Sequence, residues 1–272
     1  MIYLRQGLSR PTVTSLQVML GHVRPDGIFG PRTCDAVHAY QRKHRPHLGD
    51  DGIVGRHTWK SLMSQNRVET VDVVDADELV DEDATSNNWG HRIPHPENTF
   101  TGDVLLGFKS AGSHPIMVYG QCNGVAAMVA QVTARVGAQR KLVLLRIYGH
   151  GHDGSQKVSG GKLPAEKDED LMTIQAGNAS WWSPLLSSLK PHFVPWGSIG
   201  LHGCDVASGS AGHQLLSMIA RTTGVPVTAA VREQYGNCTG QWTFSGPTVT
   251  AFPYGADLKG WSHLAAAKSR HQ

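Results

Sequence analysis

The sequence predicts two structural units, a small all-α domain of three helices followed by an α/β domain with a mainly parallel sheet flanked by helices. Three observations lead to this. A motif repeats near the N-terminus, an acidic run follows it, and apolar runs typical of strands then alternate with amphipathic helical patterns. We expect the domains to span residues 1–66 and 100–272, with residues 67–99 as an acidic flexible linker.

The composition is ordinary for a soluble globular protein, with 40% hydrophobic and 17% charged residues among 272. A net charge of +3 and the absence of a basic tract interleaved with aromatics argue against a nucleic-acid partner. No apolar run reaches the roughly 20 residues of a membrane span. The first residues pass directly into a folded pattern, without a signal peptide.

The repeat near the N-terminus occupies residues 26–33 and recurs at residues 51–58. Each copy starts with Asp-Gly, which favours a tight turn, and each turn is followed by a helical pattern. Pro31 suits a first helical position. Another helix precedes the first copy, marked by apolar residues at helical spacing: Val13, Leu16 and Leu20.

These motifs together resemble the type 1 peptidoglycan-binding domain, and the resemblance covers nearly all of residues 3–64. It implies a three-helix module that docks an enzyme onto the bacterial cell wall, with peptidoglycan as the partner. Most of the matching residues are those of a core or of turns. The candidates for contact with the wall are Arg32, Tyr40 and His57.

The acidic run covers residues 69–83, where eight of fifteen residues are acidic and none is basic. Such a run buries its charges with difficulty, so we expect an extended, solvated tether. It lacks the spaced oxygen ligands and the glycine of a calcium loop. We expect the second domain to begin near Phe100.

Strand-type runs and helical patterns alternate in the C-terminal part, which predicts parallel strands with crossover helices. The strand-type runs are residues 104–108, 114–119, 142–148, 197–201 and 226–231, and the helical patterns are residues 124–136, 181–189 and 213–223. The turns after parallel strands share one edge of the sheet. That edge would collect Cys122, His150, His152, His202 and Cys204.

A thiol and a histidine at adjacent strand ends are the pairing that nucleophilic catalysis needs. Cys204 would attack a carbonyl, and His150 or His152 would handle the proton. No CxxC pair is present among the four cysteines, so neither a zinc framework nor a disulfide scaffold is indicated. We expect no cofactor and no metal.

The order of a His-Gly and then a Cys after strand-type runs resembles caspase-like (clan CD) cysteine peptidases. Residues 112–245 are similar to an uncharacterised bacterial caspase-like family. This resemblance implies a caspase-like fold, with His150 as base, Gly151 as an oxyanion-hole donor and Cys204 as nucleophile. Residues that would contact the substrate are His152, Asp205 and His202, with Asp205 facing a cationic group.

Three alternatives stay open. His202-Gly203-Cys204 is similar to the core of the L,D-transpeptidases, although Leu201 replaces their serine and the expected arginine is missing. Zinc held by His150, His152, His202 and Cys204 would activate water. The third alternative is a non-catalytic wall-binding protein with an inactive scaffold.

The function expected from these patterns is a wall-targeted cysteine hydrolase that acts on a peptide or protein substrate. A wall-binding module without a signal peptide favours a secreted or periplasmic location reached through a secretion machine, as for an antibacterial effector with a cognate inhibitor protein. In an oxidising compartment Cys122 and Cys238 would be candidates for a disulfide.

Overall fold

The computed structural model describes residues 2–75, 108, 114–118, 124–159, 172–234 and 244–269. The helices are α1 (Pro11–Leu20), α2 (Pro31–Lys43), α3 (Arg56–Asn66), α4 (Gly124–Val136), α5 (Ala179–Ser187), α6 (Gly209–Thr223) and α7 (Leu258–Ser269). The strands are β1 (Val68–Asp75), β2 (Ile116–Val118), β3 (Lys141–Tyr148), β4 (Gly151–His152), β5 (Ser155–Lys157), β6 (Thr173–Gln175), β7 (Phe193–Leu201), β8 (Val227–Ala230) and β9 (Thr248–Ala251).

The sequence repeat of the N-terminal module is a repeat of one buried hydrogen-bond network. Gln17 accepts hydrogen bonds from the backbone N–H groups of Asp26 and Gly27, both at 2.9 Å, and donates to the Asp26 carboxylate at 2.8 Å. Gln41 donates in the same way to Asp51 in the second copy, also at 2.8 Å. Both glutamines are almost fully buried. Each therefore holds one Asp-Gly turn and fixes where the next helix begins.

Within the described residues, six strands form one sheet at the centre of the second unit, in the order β2-β1-β3-β7-β8-β9. The strands are parallel except for β9, which is antiparallel to β8. A small antiparallel sheet, β4-β5-β6, lies beside it. The mainly parallel sheet predicted from the sequence is confirmed, and its order makes β3 and β7 direct neighbours.

Helices cover both faces of the large sheet, but they come from different parts of the chain. On one face, α4, α5 and α6 bury a core that includes Leu145, Trp182 and Leu216. On the other face, the N-terminal module and α7 share a second core with Leu144 and Trp196 of the sheet. The module therefore supplies a layer of the α/β domain in addition to its own small core.

Specific hydrogen bonds join the module to the sheet and to α7. The Ser15 hydroxyl donates to the carbonyl of Trp196 at 2.7 Å, and the hydroxyls of Thr14 and Ser262 share a hydrogen bond of 2.7 Å. Both bonds are buried, so their loss would leave polar groups without water. The module and the sheet are thus held in one arrangement.

The expectation of a flexible linker over residues 67–99 is wrong for residues 68–75, which form β1 between β2 and β3. Two of its acidic residues, Asp72 and Glu69, have basic partners far along the chain. Asp72 accepts two hydrogen bonds from Arg146, at 2.6 and 2.9 Å, and Glu69 accepts one from Arg140 at 3.1 Å. The α/β domain therefore begins at β1 and not near Phe100. Residues 76–99 lie outside the described residues.

Replacement of Gln17 by leucine should destabilise the protein by about 2 to 4 kcal/mol, because two buried N–H groups of the first turn lose their acceptor. Chemical denaturation measures the change. Gln65→Leu is the matched control, since Gln65 is exposed and should cost less than about 0.5 kcal/mol. Equal midpoints for the two variants would contradict the role of Gln17.

A chain that starts at residue 67 should fail to fold cooperatively, because it exposes the sheet face that carries Leu144 and Trp196. Thermal unfolding followed by circular dichroism, together with dye binding to apolar surface, measures this. Cooperative unfolding of the shortened chain at the temperature of the full chain would show that the module is dispensable for the fold.

Candidate active site

The turns after β3 and β7 place His150 and Cys204 at the same edge of the sheet. Ile147 of β3 pairs with Leu201 of β7 in parallel register, and each candidate lies three residues beyond its paired residue. The N–H of His202 donates to the carbonyl of Ile147 at 2.8 Å, so the pairing continues past β7. The common edge predicted from the sequence is confirmed for these two strands.

Two glycines allow the turns to touch. A Cβ on Gly151 would lie 2.8 Å from the carbonyl oxygen of Cys204, and a Cβ on Gly203 would lie 2.9 Å from the Cα of Gly151. Both distances are shorter than real Cβ contacts, so a larger side chain at either position would separate the turns. Gly151, expected as an oxyanion-hole donor, thus lies directly against the turn that carries Cys204.

Gln156 of β5 links the same two turns, and the sequence did not indicate it. Its side chain accepts a hydrogen bond from the N–H of Gly203 at 2.9 Å and donates to the carbonyl of His150 at 3.3 Å. It also donates to the carbonyl of Lys157 at 2.9 Å. The side chain is fully buried. In the sequence it stands in a short polar stretch that carries no motif, so only the fold shows what it contacts.

Cys204 is a free, half-buried thiol. The backbone N–H of Gln234 points to its sulfur at 3.3 Å. Asp205, the next residue, adopts a left-handed conformation with φ 56°, which aspartate tolerates better than most residues. Its N–H donates to the carbonyl of Arg232 at 3.2 Å, so the tight turn at the thiol is anchored to the segment that follows β8.

His150 and His152 are exposed and border a groove of about 200 Å³ on the small sheet. The other lining residues are mostly polar: Gly151, Ser155, Lys157, Thr173 and Gln175. The groove is therefore open to a polar ligand on the side of His150, and both histidines can reach it.

His202 lies apart from the other candidates, in the core under the sheet edge. Its ring stacks between those of Tyr148 and Phe244, with centroids 4.5 and 4.2 Å away. Burial lowers the pKa of His202 well below its ordinary value, and the charge of Arg146 lowers the pKa further. Burial also raises the pKa of Tyr148. His202 therefore packs in the core as a neutral ring. It does not make the contact with substrate that was expected from the sequence.

Because the His202 ring is stacked in the core, the four residues considered as zinc ligands from the sequence do not form one site. Within the described ranges, no three His, Cys, Asp or Glu side chains come together as metal ligands. The candidate disulfide between Cys122 and Cys238 lies outside the described residues. Among the helices that are described, none is long and apolar enough to cross a membrane.

Two of the residues expected to contact the wall, Arg32 and His57, line different grooves on the N-terminal module. A groove of about 1,120 Å³ is lined by Arg32, and another of about 580 Å³ is lined by His57. Tyr40 has a structural role instead. Its hydroxyl shares a hydrogen bond of 2.7 Å with that of Ser61, and its ring lies on that of His44.

Comparison with known families agrees with the division of the chain into an N-terminal module and an α/β domain. Residues 9–62 match the putative peptidoglycan binding domain, which indicates association with the cell wall. The protein is therefore of the class that joins a peptidoglycan-binding module to an α/β domain. Residues 110–258, more than half of the chain, match the domain of unknown function DUF4347, and the chain belongs to this family. No curated protein matches the chain. The caspase-like resemblance has no counterpart among these matches.

The buried neutral state of His202 predicts lower stability in acid. The unfolded ring takes up a proton below about pH 6.5, whereas the folded ring resists it, so the free energy of unfolding falls as the pH drops through this range. In His202→Phe the loss between about pH 7.5 and about pH 5 should be smaller by up to about 2 kcal/mol, which is what protonation of one unfolded imidazole contributes over this range. Denaturation curves at the two pH values measure this. An unchanged loss in the variant would contradict it.

Proposed function

We propose that the α/β domain is a cysteine hydrolase that cleaves peptide bonds at the cell wall, with Cys204 as nucleophile and His150 as general base. The observation that carries the proposal is the contact between the two turns. β3 and β7 are adjacent, their ends are in register, and Gly151 packs against Gly203 and Cys204. A base and a nucleophile at the ends of adjacent parallel strands can both act on the same carbonyl group of a bound substrate.

The surroundings of Cys204 hold its thiol in a defined position. It is half-buried and free, and the N–H of Gln234 donates to its sulfur. The carbonyl of the same residue lies 3.9 Å from the sulfur and accepts from its S–H, so the backbone of Gln234 holds the thiol in place. The bond from Gln156 to Gly203 keeps this turn against the one that carries His150. Gln156 thus acts as a positioning residue.

The proposed reaction is an acyl transfer through a thioester on Cys204. His150 takes the proton of the Cys204 thiol, and the sulfur attacks the carbonyl carbon of the substrate. His150 returns the proton to the leaving amine as the C–N bond breaks, which leaves a thioester on Cys204. Water activated by His150 then attacks the thioester, releases the acid and restores the thiol.

The developing oxyanion needs N–H donors, and Gly151 is one candidate. The carbonyl of His150 accepts from the N–H of Lys157 at 2.9 Å, so Gly151 takes the position in which strands exchange no hydrogen bond. Its N–H is therefore directed away from β5, to the side of the Cys204 turn. The N–H of Cys204 would be the second donor.

The polar groove beside His150 favours a short polar peptide as substrate, either in a wall stem peptide or in a protein. His152 lines this groove, and Asp205 follows Cys204 in the turn after β7. These two residues are the proposed substrate contacts. The L,D-transpeptidase alternative has less support, since the β-rich fold of that family differs from a parallel sheet covered by helices on both faces.

Labelling with iodoacetamide tests the dyad. Cys204 should react faster than Cys34, and His150→Gln should slow its reaction at least about tenfold, because the thiol loses its proposed base. Gln156→Leu should slow it as well, by releasing the Gly203 turn. Peptide mapping by mass spectrometry measures both sites in one sample, with Cys34 as internal reference.

His152→Gln is the matched control, since this histidine lines the same groove without being the proposed base. A larger effect of His152→Gln than of His150→Gln would exchange their roles. Equal labelling of Cys204 and Cys34 in the unmodified protein would contradict the dyad and favour a non-catalytic wall-binding protein.

A further inference from the structure

The large groove on the N-terminal module is completed by the last helix of the chain. It has a volume of about 1,120 Å³ and runs between the turn and helix of the first repeat and α7. α7 contributes Lys259 and His263 to its lining. These two residues lie outside both family matches, which end at residues 62 and 258. The groove is therefore a feature of how this chain folds as a whole.

We propose that this composite groove binds peptidoglycan through the carboxylates of its stem peptides, and that Lys259 and His263 of α7 are part of the binding site. The proposal rests on the wall association of the module and is independent of hydrolysis at Cys204. The occupant has a definite chemistry, because stem peptides carry free carboxylates on a polar chain.

The position of α7 against the module is fixed by close contacts. A Cβ on Gly27 would lie 2.6 Å from a methyl carbon of Leu258, so the first Asp-Gly turn touches the start of α7. One turn further along the helix, Ser262 shares its buried hydrogen bond with Thr14. Leu258 and Ser262 are four residues apart and lie on the same side of α7. That side faces the module.

Lys259 follows Leu258 in the sequence, and His263 follows Ser262. The two side chains therefore lie next to the side of α7 that contacts the module, where they line the groove. Lys259 is exposed and His263 is half-buried. The Nη2 of Arg24 on the module lies 3.4 Å from the Nε2 of His263. This contact joins the two walls and brings donors from both parts of the chain to one place.

The charge of the groove suits an anion. Arg24, Arg32 and Lys259 are exposed cations in the lining, whereas the acidic residues there are Asp26 and Asp35. The Asp26 carboxylate already accepts hydrogen bonds from Gln17 and from the N–H of Ile28, both within the turn. A carboxylate ligand would therefore meet more positive than negative charge, which favours both encounter and orientation.

The groove also offers an apolar surface for the rest of the ligand. Ile28 is 47% exposed and stands in the lining, beside Pro31 at the start of α2. Together with Val23 and Pro31, it gives the lining an apolar part among its polar groups. It can contact the methyl groups of alanines in a stem peptide while the cations bind its carboxylates.

The second groove on the module is a weaker candidate, even though it carries basic residues. One of them, Arg45, is already paired, because its Nη2 donates to the Asp50 carboxylate at 2.9 Å. That groove is also about half as large, at 580 Å³. It provides the comparison that the test requires, since Lys60 lines it and is exposed.

Co-sedimentation of the full-length protein with purified peptidoglycan sacculi tests the proposal. The double variant Lys259→Gln, His263→Gln should bind about three- to tenfold more weakly than the unmodified chain. Lys268→Gln, on the same helix but outside the groove, and Lys60→Gln, in the second groove, should bind as the unmodified chain does. Salt raised to about 500 mM should reduce the difference. Circular dichroism confirms that each variant is folded.

Sacculi whose carboxylates have been converted to amides should bind to the unmodified chain more weakly than native sacculi bind to the double variant, because Arg24 and Arg32 then also lose their partners. Unchanged binding of the double variant, or a loss confined to Lys60→Gln, would overturn the proposal. Tight binding to amidated sacculi would overturn the assignment to carboxylates. Cys204→Ser should bind as the unmodified chain does, so a failure of the proposed hydrolase leaves this result untouched.

Discussion

The apolar face of the sheet that carries Val143, Leu144 and Trp196 has to be covered, and the N-terminal module covers it together with α7. A parallel sheet is stable only with both faces buried, because each face is largely aliphatic. Most other features follow from this one requirement. The chain leaves the module directly into β1, β1 occupies an inner position beside β3, and β3 lies next to β7. The candidate catalytic edge thus depends on a contact made on a different surface of the sheet.

The covered face changes in character along its strands. Near Leu144 it is aliphatic, and farther toward the carboxyl edge it carries Arg146, Tyr148 and His202. Burial opposes the charge of Arg146, but the two hydrogen bonds and the opposite charge of Asp72 outweigh it, so the pKa of Arg146 rises above its ordinary value. Such a pair is costly to break, since a single charge would then be left in the core. The polar end of this face leads directly to the turn of Cys204.

Local patterns predicted most of the elements, and distant contacts explain what they missed. The Asp-Gly repeats and the apolar runs of β3 and β7 are local signals, so the module, the sheet and the edge with His150 and Cys204 followed from the sequence. β1 was missed because Glu69 and Asp72 are paired with Arg140 and Arg146, which stand more than seventy residues away. Strand alternation places His202 and Leu201 on opposite faces, a signal that the sequence does contain. Nothing near Gln156 in the sequence indicates its bonds to both turns.

The docked module also determines what part of the wall the second domain meets. A catalytic unit on a flexible linker searches a volume whose radius grows with linker length. Here the anchoring surface and the edge with Cys204 belong to one folded body, joined through β1 and the buried bonds of Thr14 and Ser15. Once the module is bound, only wall polymer at a fixed distance and direction from the anchoring surface can reach the edge that carries Cys204. For the proposed hydrolase, the spacing of the wall polymer itself then selects the positions that reach this edge.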